Sequence, residues 1–566
     1  MKKKILIIGG VAGGANAATR LRRNDEFAEI ILFERGEYIS FANCGLPYYI
    51  GGVIENRSSL IVQSKEDIEA KFNIDVRIFS EVISINKDKK TITVNNLKEN
   101  KIYEESYDNL IISTGAMPIK PNIEGASDAL NIFTIRNIPD TDNIKNFINN
   151  NKPKTAVVVG GGFIGLEMVE NLQHLGIKVT LVEMAPQVMT PIDFELAQII
   201  HLHLKDKGVN LILNNGVKAF KDKGKKIILS DGKEISTDMV ILAIGVRPEN
   251  ILAKNALLTL GERGGILVNE FLQTSDPAIY AVGDVIETND FLTKKLSNIP
   301  LAGPANKQGR IAADNIYGKG EKYIGALGTS VAKVFDLTVA STGYNEKILK
   351  ALNLKYNAIH AHPLSNAGYY PGGASISIKL LYNPETEEIY GAQAVGIKGV
   401  DKRIDVLATA IYSKLKASEL RNLELSYAPP FSSAKDPVNM LGYVAENIKR
   451  GLVKTFQWYE VKDLIKEKAF LLDIREQFER DLGTIPASLH IPFSKVRSSL
   501  DLLPKDKPIY LFCQSGVRAN SVTRLLNQRG FDVYNLSGGY RTYSFVCDTK
   551  NISTEEIDDS GVLIKK

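Results

Sequence analysis

Residues 155–165 read Thr-Ala-Val-Val-Val-Gly-Gly-Gly-Phe-Ile-Gly, a short apolar run that passes directly into a glycine-rich turn. The run is typical of a buried strand, and an amphipathic helix is expected after it. Gly160, Gly162 and Gly165 form a G-x-G-x-x-G pattern, which lets the backbone approach a pyrophosphate at the N-terminus of that helix. The next strand ends in Glu183, about 20 residues further on, so the stretch predicts a βαβ dinucleotide-binding fold.

The acid at the end of the second strand predicts which dinucleotide is bound. Glu183 would accept hydrogen bonds from a ribose 2′-hydroxyl, and no arginine follows it in Met184-Ala185-Pro186. The sequence therefore favours NADH over NADPH. The predicted binding residues are Gly160, Gly162, Phe163, Ile164, Gly165, Glu183 and Gly245.

The same pattern occurs at the start of the chain. Residues 4–9 form a short apolar strand, the turn Gly9-Gly10-Val11-Ala12-Gly13-Gly14 follows, and a second strand ends in Glu34. Val11 stands where a middle glycine is usual, and we expect Gly10 and Gly13 to supply the flexibility. Two later apolar runs, 109–115 and 239–245, are predicted return strands. The second fold is thus inserted into the first, with residues 115–244 inside a domain made of 1–114 and 245–322.

The pattern of the chain changes after the two nucleotide folds. From about Tyr323 strands such as 375–380 alternate polar and apolar residues and mix with helices, which predicts an α+β domain over 323–446. A last α/β segment is expected over 456–550. The predicted fold class is α/β, with two Rossmann-like dinucleotide-binding domains, an α+β domain and a C-terminal α/β domain.

Composition excludes several classes of protein. At 566 residues the chain is expected to form about four domains. The formal net charge is only +5, and no basic patch predicts nucleic-acid binding. The first residues resemble a secretory signal, but they run straight into a phosphate turn, and no apolar run is long enough for a membrane span. We expect a cytoplasmic enzyme with no metal site.

Three cysteines are present, and the segment around the first indicates redox chemistry. Cys44 lies in Ser40-Phe41-Ala42-Asn43-Cys44-Gly45-Leu46-Pro47-Tyr48, where a loop is expected to become a helix. The positive end of the helix dipole is predicted to lower the pKa of this thiol and make it a nucleophile. A single redox cysteine can hold two electrons only as a sulfenic acid or as a mixed disulfide with an outside thiol.

A long motif far from the N-terminus identifies a family resemblance. The string Thr274-Ser275-Asp276-Pro277-Ala278-Ile279-Tyr280-Ala281-Val282-Gly283-Asp284, with the two nucleotide folds, resembles the pyridine nucleotide-disulfide reductase family. The resemblance implies that FAD binds the first fold and that Asp284 binds its ribityl chain. The implied FAD-binding residues are Gly9, Gly10, Ala12, Gly13, Gly14, Glu34, Arg35, Thr114, Gly115, Gly283 and Asp284.

The family contains two single-cysteine branches that fit Cys44 differently. Dithiol members carry a second cysteine where Tyr49 stands here. Peroxidases and NADH oxidases that use a sulfenic acid have a histidine in the first glycine turn, and this turn has none. The Ser-Phe-x-Asn-Cys-Gly-Leu-Pro-Tyr motif resembles coenzyme A-disulfide reductases instead, over roughly the first 445 residues.

This second resemblance implies a binding site for coenzyme A. The implied CoA contacts are Asn16, Arg20, Arg23, Ser40, Asn43, Lys71, Asn306 and Lys435. It also implies that Tyr427 and one of Tyr369 and Tyr370 protonate the departing thiolate from the partner subunit of a homodimer, because His360 and His362 do not stand in the family's base motif. Basic residues that merely complement the helix dipole are the alternative, above all for Arg22.

The end of the chain, from Phe456, resembles a single-domain rhodanese. Two framework motifs match, with Thr484 where a histidine is usual. The loop Cys513-Gln514-Ser515-Gly516-Val517-Arg518 would surround the cysteine sulfur with backbone N–H groups, and Arg518 would complete an anion cradle. The six-residue length favours sulfane sulfur over the longer loop of related phosphatases. An inactive scaffold is the alternative reading.

Together these patterns predict an FAD-dependent, NADH-linked reductase of CoA disulfide, CoA persulfide or polysulfide, with Cys513 handling sulfane sulfur. The alternatives are an NADH oxidase or peroxidase that uses Cys44 sulfenic acid, and a sulfur-relay carrier or redox sensor. The sequence leaves open which sulfur species is reduced, the direction of sulfur flow, NADH against NADPH, whether CoA stays bound, and the role of Cys547.

Overall fold

The computed structural model describes residues 2–547. They form two compact units, one made of residues up to Val182 with Asn215–Gly328, the other of Glu183–Asn214 with the chain from Thr329 onward. None of the helices among residues 2–547 is long and apolar enough to cross a membrane.

The helices, numbered along the chain, are α1 (Ala12–Asn24), α2 (Leu46–Ile50), α3 (Lys65–Phe72), α4 (Ile138–Asn151), α5 (Phe163–His174), α6 (Phe194–Asp206), α7 (Ile251–Asn255), α8 (Ala302–Ile316), α9 (Glu346–Ala351), α10 (Val400–Tyr412), α11 (Pro437–Lys449), α12 (Val461–Lys466), α13 (Gln477–Asp481), α14 (Val517–Asn527) and α15 (Gly539–Cys547).

The strands of the first unit are β1 (Lys4–Ile8), β2 (Glu29–Phe33), β3 (Asp75–Arg77), β4 (Ser80–Asn86), β5 (Thr91–Asn96), β6 (Lys101–Ser106), β7 (Asn109–Ile112), β8 (Ala116–Pro118), β9 (Ile132–Phe133), β10 (Thr155–Val159), β11 (Lys178–Val182), β13 (Val217–Lys221), β14 (Lys226–Leu229), β15 (Glu234–Ser236), β16 (Met239–Leu242), β17 (Val246–Pro248), β18 (Ile266–Leu267), β19 (Ile279–Ala281), β20 (Ile286–Asn289) and β21 (Leu296–Ser297).

The strands of the second unit are β12 (Asn210–Ile212), β22 (Ser330–Val334), β23 (Leu337–Gly343), β24 (Asn357–Ala361), β25 (Ile376–Tyr382), β26 (Ile389–Gly396), β27 (Lys454–Phe456), β28 (Phe470–Asp473), β29 (Leu489–His490), β30 (Ile509–Phe512) and β31 (Val533–Leu536).

Both predicted dinucleotide folds are present in the first unit. A parallel sheet has the order β19-β7-β1-β2-β3, with Ile8 opposite Phe33 on one side and Ile112 on the other. In the inserted fold β10 pairs in parallel with β11 and with β16. Strand order therefore reverses at β1 and at β10, and ligands of open α/β sheets bind at the carboxyl end of such positions.

The second unit contains an antiparallel sheet of order β22-β23-β26-β25-β24 and a parallel sheet of order β27-β31-β30-β28-β29. The strand expected at 375–380, in which polar and apolar residues alternate, overlaps β25, and all seven residues of β25 are buried. β26, its neighbour, is also buried throughout, and it contacts α10 and α6. Because this sheet is covered by helices, its polar side chains are buried and need partners.

Candidate functional site

The glycine turn after β1 is built for close approach of a ligand to the backbone. Gly9 has φ +97°, and a Cβ on Gly14 would lie 1.9 Å from the Gly9 carbonyl oxygen, so α1 packs tightly against β1 only because residue 14 is glycine. The Gly10 N–H donates to Glu34 Oε2 at 3.1 Å. Glu34 Oε1 accepts a second hydrogen bond from the Gly36 N–H at 2.9 Å, which fixes the carboxylate at the end of β2.

A cavity opens at the carboxyl end of this sheet. Except for Gly10 and Gly14, all residues predicted to bind FAD line it: Gly9, Ala12, Gly13, Glu34, Arg35, Thr114, Gly115, Gly283 and Asp284. Burial raises the pKa of Asp284, which indicates a carboxyl group in a poorly solvated pocket wall. A glycine-rich turn, an acid at the end of β2 and a half-buried acid at one cavity fit FAD.

Two residues of this cavity were not found by sequence reasoning. Arg35 donates to both oxygens of Glu249, at 2.6 and 3.1 Å, and Arg136 also forms an ion pair with Glu249. All three line the cavity. They come from positions far apart in sequence, so no local motif could have indicated Arg136 or Glu249.

The turn after β10 has the same construction. Gly160 has φ +106°, and a Cβ on Gly165 would lie 1.9 Å from the Gly160 carbonyl oxygen. Gly162 is the N-cap residue of α5, and a Cβ there would meet no atom within 4 Å. The backbone at Gly162 is thus open for a phosphate, as a dinucleotide turn requires.

The other residues predicted to bind NADH lie at the start of a helix and directly after strands. Phe163 and Ile164 begin α5, and Gly245, with φ +112°, follows β16. Glu183 directly follows β11, and its Oε1 accepts the Ala185 N–H at 2.7 Å.

Cys44 lies on a short turn of 3₁₀ helix, Asn43–Gly45, that leads directly into α2. Phe41 and Asn43, on the same segment, line the cavity that fits FAD, and Asp284 lines it too. Cys44 carries a free thiol and is exposed, whereas Tyr49, at the position of a second cysteine in dithiol relatives, is buried. The turn thus presents one thiol beside the cavity.

The expected low pKa of Cys44 is wrong. Although the residue is exposed, surrounding protein atoms partly desolvate its sulfur, and this effect, followed by the negative charges of Glu167 and Asp284, raises the pKa of Cys44 above the ordinary value. A helix of five residues has few aligned peptide dipoles, so its N-terminus does not offset these effects. Glu167 itself was not predicted as a site residue, and burial raises its pKa to about 7.

The residues implied for CoA binding in the first unit include one pair in direct contact. Asn16 Nδ2 donates to Asn306 Oδ1 at 3.2 Å, so α1 and α8 bring together two residues 290 positions apart. Ser40 has φ +45°, an uncommon backbone conformation for a non-glycine residue that is frequent at functional sites.

The basic residues implied for CoA are each engaged within the chain. Arg20 donates from Nε and Nη2 to the two oxygens of Asp314, both at 2.8 Å. Arg23 Nε donates to the Thr19 carbonyl at 3.0 Å, and Lys71 pairs with Asp67 at 2.8 Å. Arg22 is buried and donates to five backbone carbonyls, which confirms a structural role for that residue.

The tyrosines implied as proton donors lie in the second unit. The hydroxyl groups of Tyr369 and Tyr427 are 2.8 Å apart and exposed, and this hydrogen bond is the largest cause of a raised pKa at Tyr427. Tyr370 is also exposed. Lys435, the last implied CoA contact, lies with its Nζ 5.8 Å from the centre of the Tyr443 ring.

The C-terminal loop closes around Cys513 as predicted. β30 ends at Phe512, and Gly516, with φ +85°, is the N-cap residue of α14. The Cys513 sulfur accepts the N–H groups of Gly516 and Ala519 at 3.2 and 3.4 Å. Arg518, expected to complete an anion cradle, interacts with Cys513 and also donates to both carboxylate oxygens of Glu479 at 2.6 and 2.7 Å.

The structure explains why threonine can stand at position 484. Thr484 Oγ1 donates to Asp473 Oδ2 at 2.8 Å, and this carboxylate also accepts from Arg475 Nη2 at 2.8 Å and Arg480 Nη1 at 3.2 Å. Asp473 is fully buried, so it needs these donors. The contact keeps the framework acid satisfied without a histidine.

Comparison with known proteins agrees with this architecture. Residues 3–309 match the model of the pyridine nucleotide-disulphide oxidoreductase family. The chain belongs to this family. The oxidoreductase also matches the family's dimerisation domain at residues 329–437 and a rhodanese-like domain at 457–544.

Several relatives share most of this length. The oxidoreductase is 37% identical over 444 residues to a coenzyme A disulfide reductase of Staphylococcus epidermidis, covering 78% of this chain and 100% of the relative. It is 54% identical to the reduced CoADR-RHD of Bacillus anthracis, with a TM-score of 0.96, covering 97% of this chain and 99% of the other. It is 37% identical to an NAD-dependent persulfide reductase from A. fulgidus, with a TM-score of 0.89, covering 95% and 100%.

Proposed function

We propose that this oxidoreductase uses FAD and a pyridine nucleotide, with NADH preferred, to reduce CoA disulfide, CoA persulfide or polysulfide at Cys44. The observation that carries the proposal is the exposed, free thiol of Cys44 on a segment whose Phe41 and Asn43 line the cavity that fits FAD. The similarity of 444 residues to a coenzyme A disulfide reductase, and of 95% of the chain to a persulfide reductase, supports it.

The residues of the first unit would hold FAD as follows. The turn Gly9–Gly14 would contact its pyrophosphate, Glu34 a ribose, and Asp284 the ribityl chain. FAD, when bound, supplies the relay that accepts two electrons from the nicotinamide and passes them to sulfur. The nicotinamide dinucleotide would bind at Gly160–Gly165, with Glu183 selecting for the ribose 2′-hydroxyl of NADH.

The chemistry at Cys44 follows from its being a lone thiol. The Cys44 thiolate attacks the sulfur that carries CoA, forming Cys44–S–S–CoA, and the leaving group departs as CoA thiolate or, from CoA persulfide, as hydrosulfide. Two electrons that originate from the pyridine nucleotide then cleave this mixed disulfide and restore the Cys44 thiolate. The raised pKa of Cys44 means that its proton must be removed before the attack.

Proton supply to the departing thiolate is assigned to Tyr427 and Tyr369. The 2.8 Å hydrogen bond between their hydroxyls supports Tyr369 over Tyr370 as the partner of Tyr427. We propose a homodimer in which these groups come from the other subunit, because residues 329–437 match a dimerisation domain. Arg20, Arg23, Ser40, Asn43, Lys71, Asn16, Asn306 and Lys435 are proposed CoA contacts; Arg20 would keep its pairing with Asp314 or exchange it for phosphate.

The domain boundaries are proposed as the sequence predicted them. The family matches to 3–309, 329–437 and 457–544 support boundaries near 322, 446 and 456. Residues 548–550 of the proposed rhodanese domain lie outside the described residues. A chain that keeps reactive thiols and uses NADH suits the cytoplasm, where we propose that it works.

The test is to denature the purified protein under non-reducing conditions and identify what is released and what remains on Cys44 by mass spectrometry. FAD together with a CoA adduct on Cys44 is expected. FAD with a bare or oxidised Cys44, and rapid peroxide turnover without CoA, would support a sulfenic-acid oxidase or peroxidase instead.

A further inference from the structure

The Cys513 sulfur interacts with two backbone N–H groups and with one guanidinium, that of Arg518. Cys513 is fully buried at the floor of the loop, and its sulfur accepts two backbone N–H groups, from Gly516 and Ala519. These dipoles stabilise a negative sulfur without adding a full positive charge. Whether the loop also binds an anionic substrate depends on the guanidinium groups around it.

Arg518, the last residue of the loop, forms an ion pair with Glu479, and this carboxylate is held in place by a further contact. Both Nη atoms of Arg518 bind Glu479, a bidentate geometry that is the strong form of this ion pair. The Arg518 guanidinium holds the pKa of Glu479 below its ordinary value, so Glu479 is ionised at neutral pH. Glu479 is held in turn by the Glu476 N–H at 3.0 Å, within the capping box of α13.

The two other arginines of this site are also compensated. Arg475 is fully buried and donates from Nε and Nη2 to Asp473, and Arg480 shares the same carboxylate. Among these five side chains, the guanidinium groups of Arg475, Arg480 and Arg518 and the carboxylates of Asp473 and Glu479 sum to one net positive charge. An ionised Cys513 cancels that charge, so a dianionic donor would add negative charge without a matching cation.

We propose that Glu479 determines the donor specificity of Cys513, disfavouring dianionic sulfane donors such as thiosulfate and favouring persulfides of organic thiols. The proposal rests on the proposed function, to which the rhodanese-like domain adds the handling of sulfane sulfur as a persulfide on Cys513. It assigns Glu479 a role as a specificity-determining residue that acts through the charge of Arg518.

The step itself needs no outside oxidant. The Cys513 thiolate attacks the outer sulfur of R–S–SH, the donor S–S bond breaks, and Cys513–S–SH forms while R–S⁻ leaves and takes a proton from solvent. With thiosulfate the same attack would release sulfite, so the reactant that must enter the loop carries two negative charges. The difference between the donors is therefore charge at the loop and not the type of bond broken.

The test compares Glu479→Gln with wild type in the full chain. Thiosulfate and cysteine persulfide are the probes, and persulfide on the Cys513 peptide is followed by mass spectrometry, which requires neither NADH turnover nor CoA. We expect Glu479→Gln to raise kcat/KM for thiosulfate by about 10-fold or more, through KM, because Arg518 regains an uncompensated charge. Loading from cysteine persulfide should change by no more than about 2-fold.

The matched control is Asp481→Asn, which removes an exposed charge from the same helix; Asp481 accepts a hydrogen bond from Gln477 and does not contact Arg518. An unchanged KM for thiosulfate in Glu479→Gln, or an equal gain in Asp481→Asn, would overturn the proposal. A parallel loss with both probes would assign Glu479 a purely structural role and overturn it as well. Failure of the CoA reaction at Cys44 would leave this measurement unaffected.

Discussion

The Nζ of Lys379 lies 2.6 Å from Glu195 Oε1 and 2.9 Å from Asp193 Oδ2, with all three side chains fully buried in the second unit. Glu346 adds a third carboxylate, 3.2 Å from the same amine, and His360 Nε2 lies 2.7 Å from Glu195. One lysine thus holds together α6, α9 and the central sheet. His360 does not stand in the family's base motif, and its place in this buried cluster gives it a structural role instead.

Replacing Lys379 should lower the free energy of unfolding far more than replacing Glu346. Lys379→Met leaves buried carboxylates without a cation and is expected to cost about 3–5 kcal/mol of stability. Glu346→Gln should cost much less, because burial raises the pKa of Glu346 to about 8 and the group is already protonated at neutral pH. Urea denaturation followed by tryptophan fluorescence measures both, since the single tryptophan, Trp458, lies in this unit. Equal losses in the two variants would contradict this charge assignment.

The same cluster predicts how stability depends on pH. The folded pKa of Glu346 lies above the ordinary value of 4.5, so its contribution is fully present below that value and is lost as pH rises through about 8. Glu195 has a lowered pKa because of Lys379 and His360, and its contribution is lost only in acid. Because of Glu346, the apparent Tm of the wild type should therefore fall as pH rises from about 5 to about 8. In Glu346→Gln the Tm should depend less on pH. A dependence identical to that of the wild type would mean that another group causes the fall in Tm.

Changing Gly162 or Gly165 to alanine should have different effects: one on the binding of NADH and the other on stability. Gly165→Ala places a Cβ 1.9 Å from the Gly160 carbonyl, so α5 must shift and the inserted domain should lose stability. Gly162→Ala meets no protein atom within 4 Å and should fold normally, while its methyl group weakens NADH binding. Thermal unfolding and the KM for NADH separate the two effects. An unchanged KM in Gly162→Ala would place the pyrophosphate elsewhere.

Glu183 should determine the choice of nicotinamide cofactor. Glu183→Ala removes the proposed acceptor for the ribose 2′-hydroxyl, so kcat/KM for NADH should fall by about 10-fold or more. The repulsion of a 2′-phosphate also disappears, and the NADH-to-NADPH ratio should fall further. Steady-state kinetics with both cofactors measure the ratio, and Glu170→Ala on α5 serves as a charge-matched comparison. A ratio that stays constant would exclude Glu183 as the selecting residue.

Glu167 should control the reactivity of Cys44 in a pH-dependent way. Its negative charge is one cause of the raised pKa of Cys44, and its own pKa is about 7. Glu167→Gln should therefore speed alkylation of Cys44 by iodoacetamide at pH 8, where Glu167 is ionised, and change it little at pH 6. Peptide mass spectrometry distinguishes Cys44 from Cys513 and Cys547. An equal acceleration at both pH values would point to altered access and not to charge.

Local sequence patterns determined the dinucleotide folds and singled out Cys44 as the proposed redox cysteine. The strand before each glycine turn was predicted within one residue, and the turns were found because Gly160 and Gly165 need backbone conformations and contacts that other residues do not tolerate. The Cys44 segment and the Cys513 loop were also found, since each is a continuous string whose chemistry does not depend on distant residues.

Only the tertiary structure decided which charges compensate one another. Arg518 binds Glu479 across 39 positions, Arg20 binds Asp314 across 294, and Lys379 binds Glu195 across 184. The direction of the pKa shift at Cys44 likewise depends on burial and on Glu167 and Asp284, which approach it only after folding. Sequence periodicity reports which face of an element is apolar, whereas an ion pair depends on which two elements pack together and in what register.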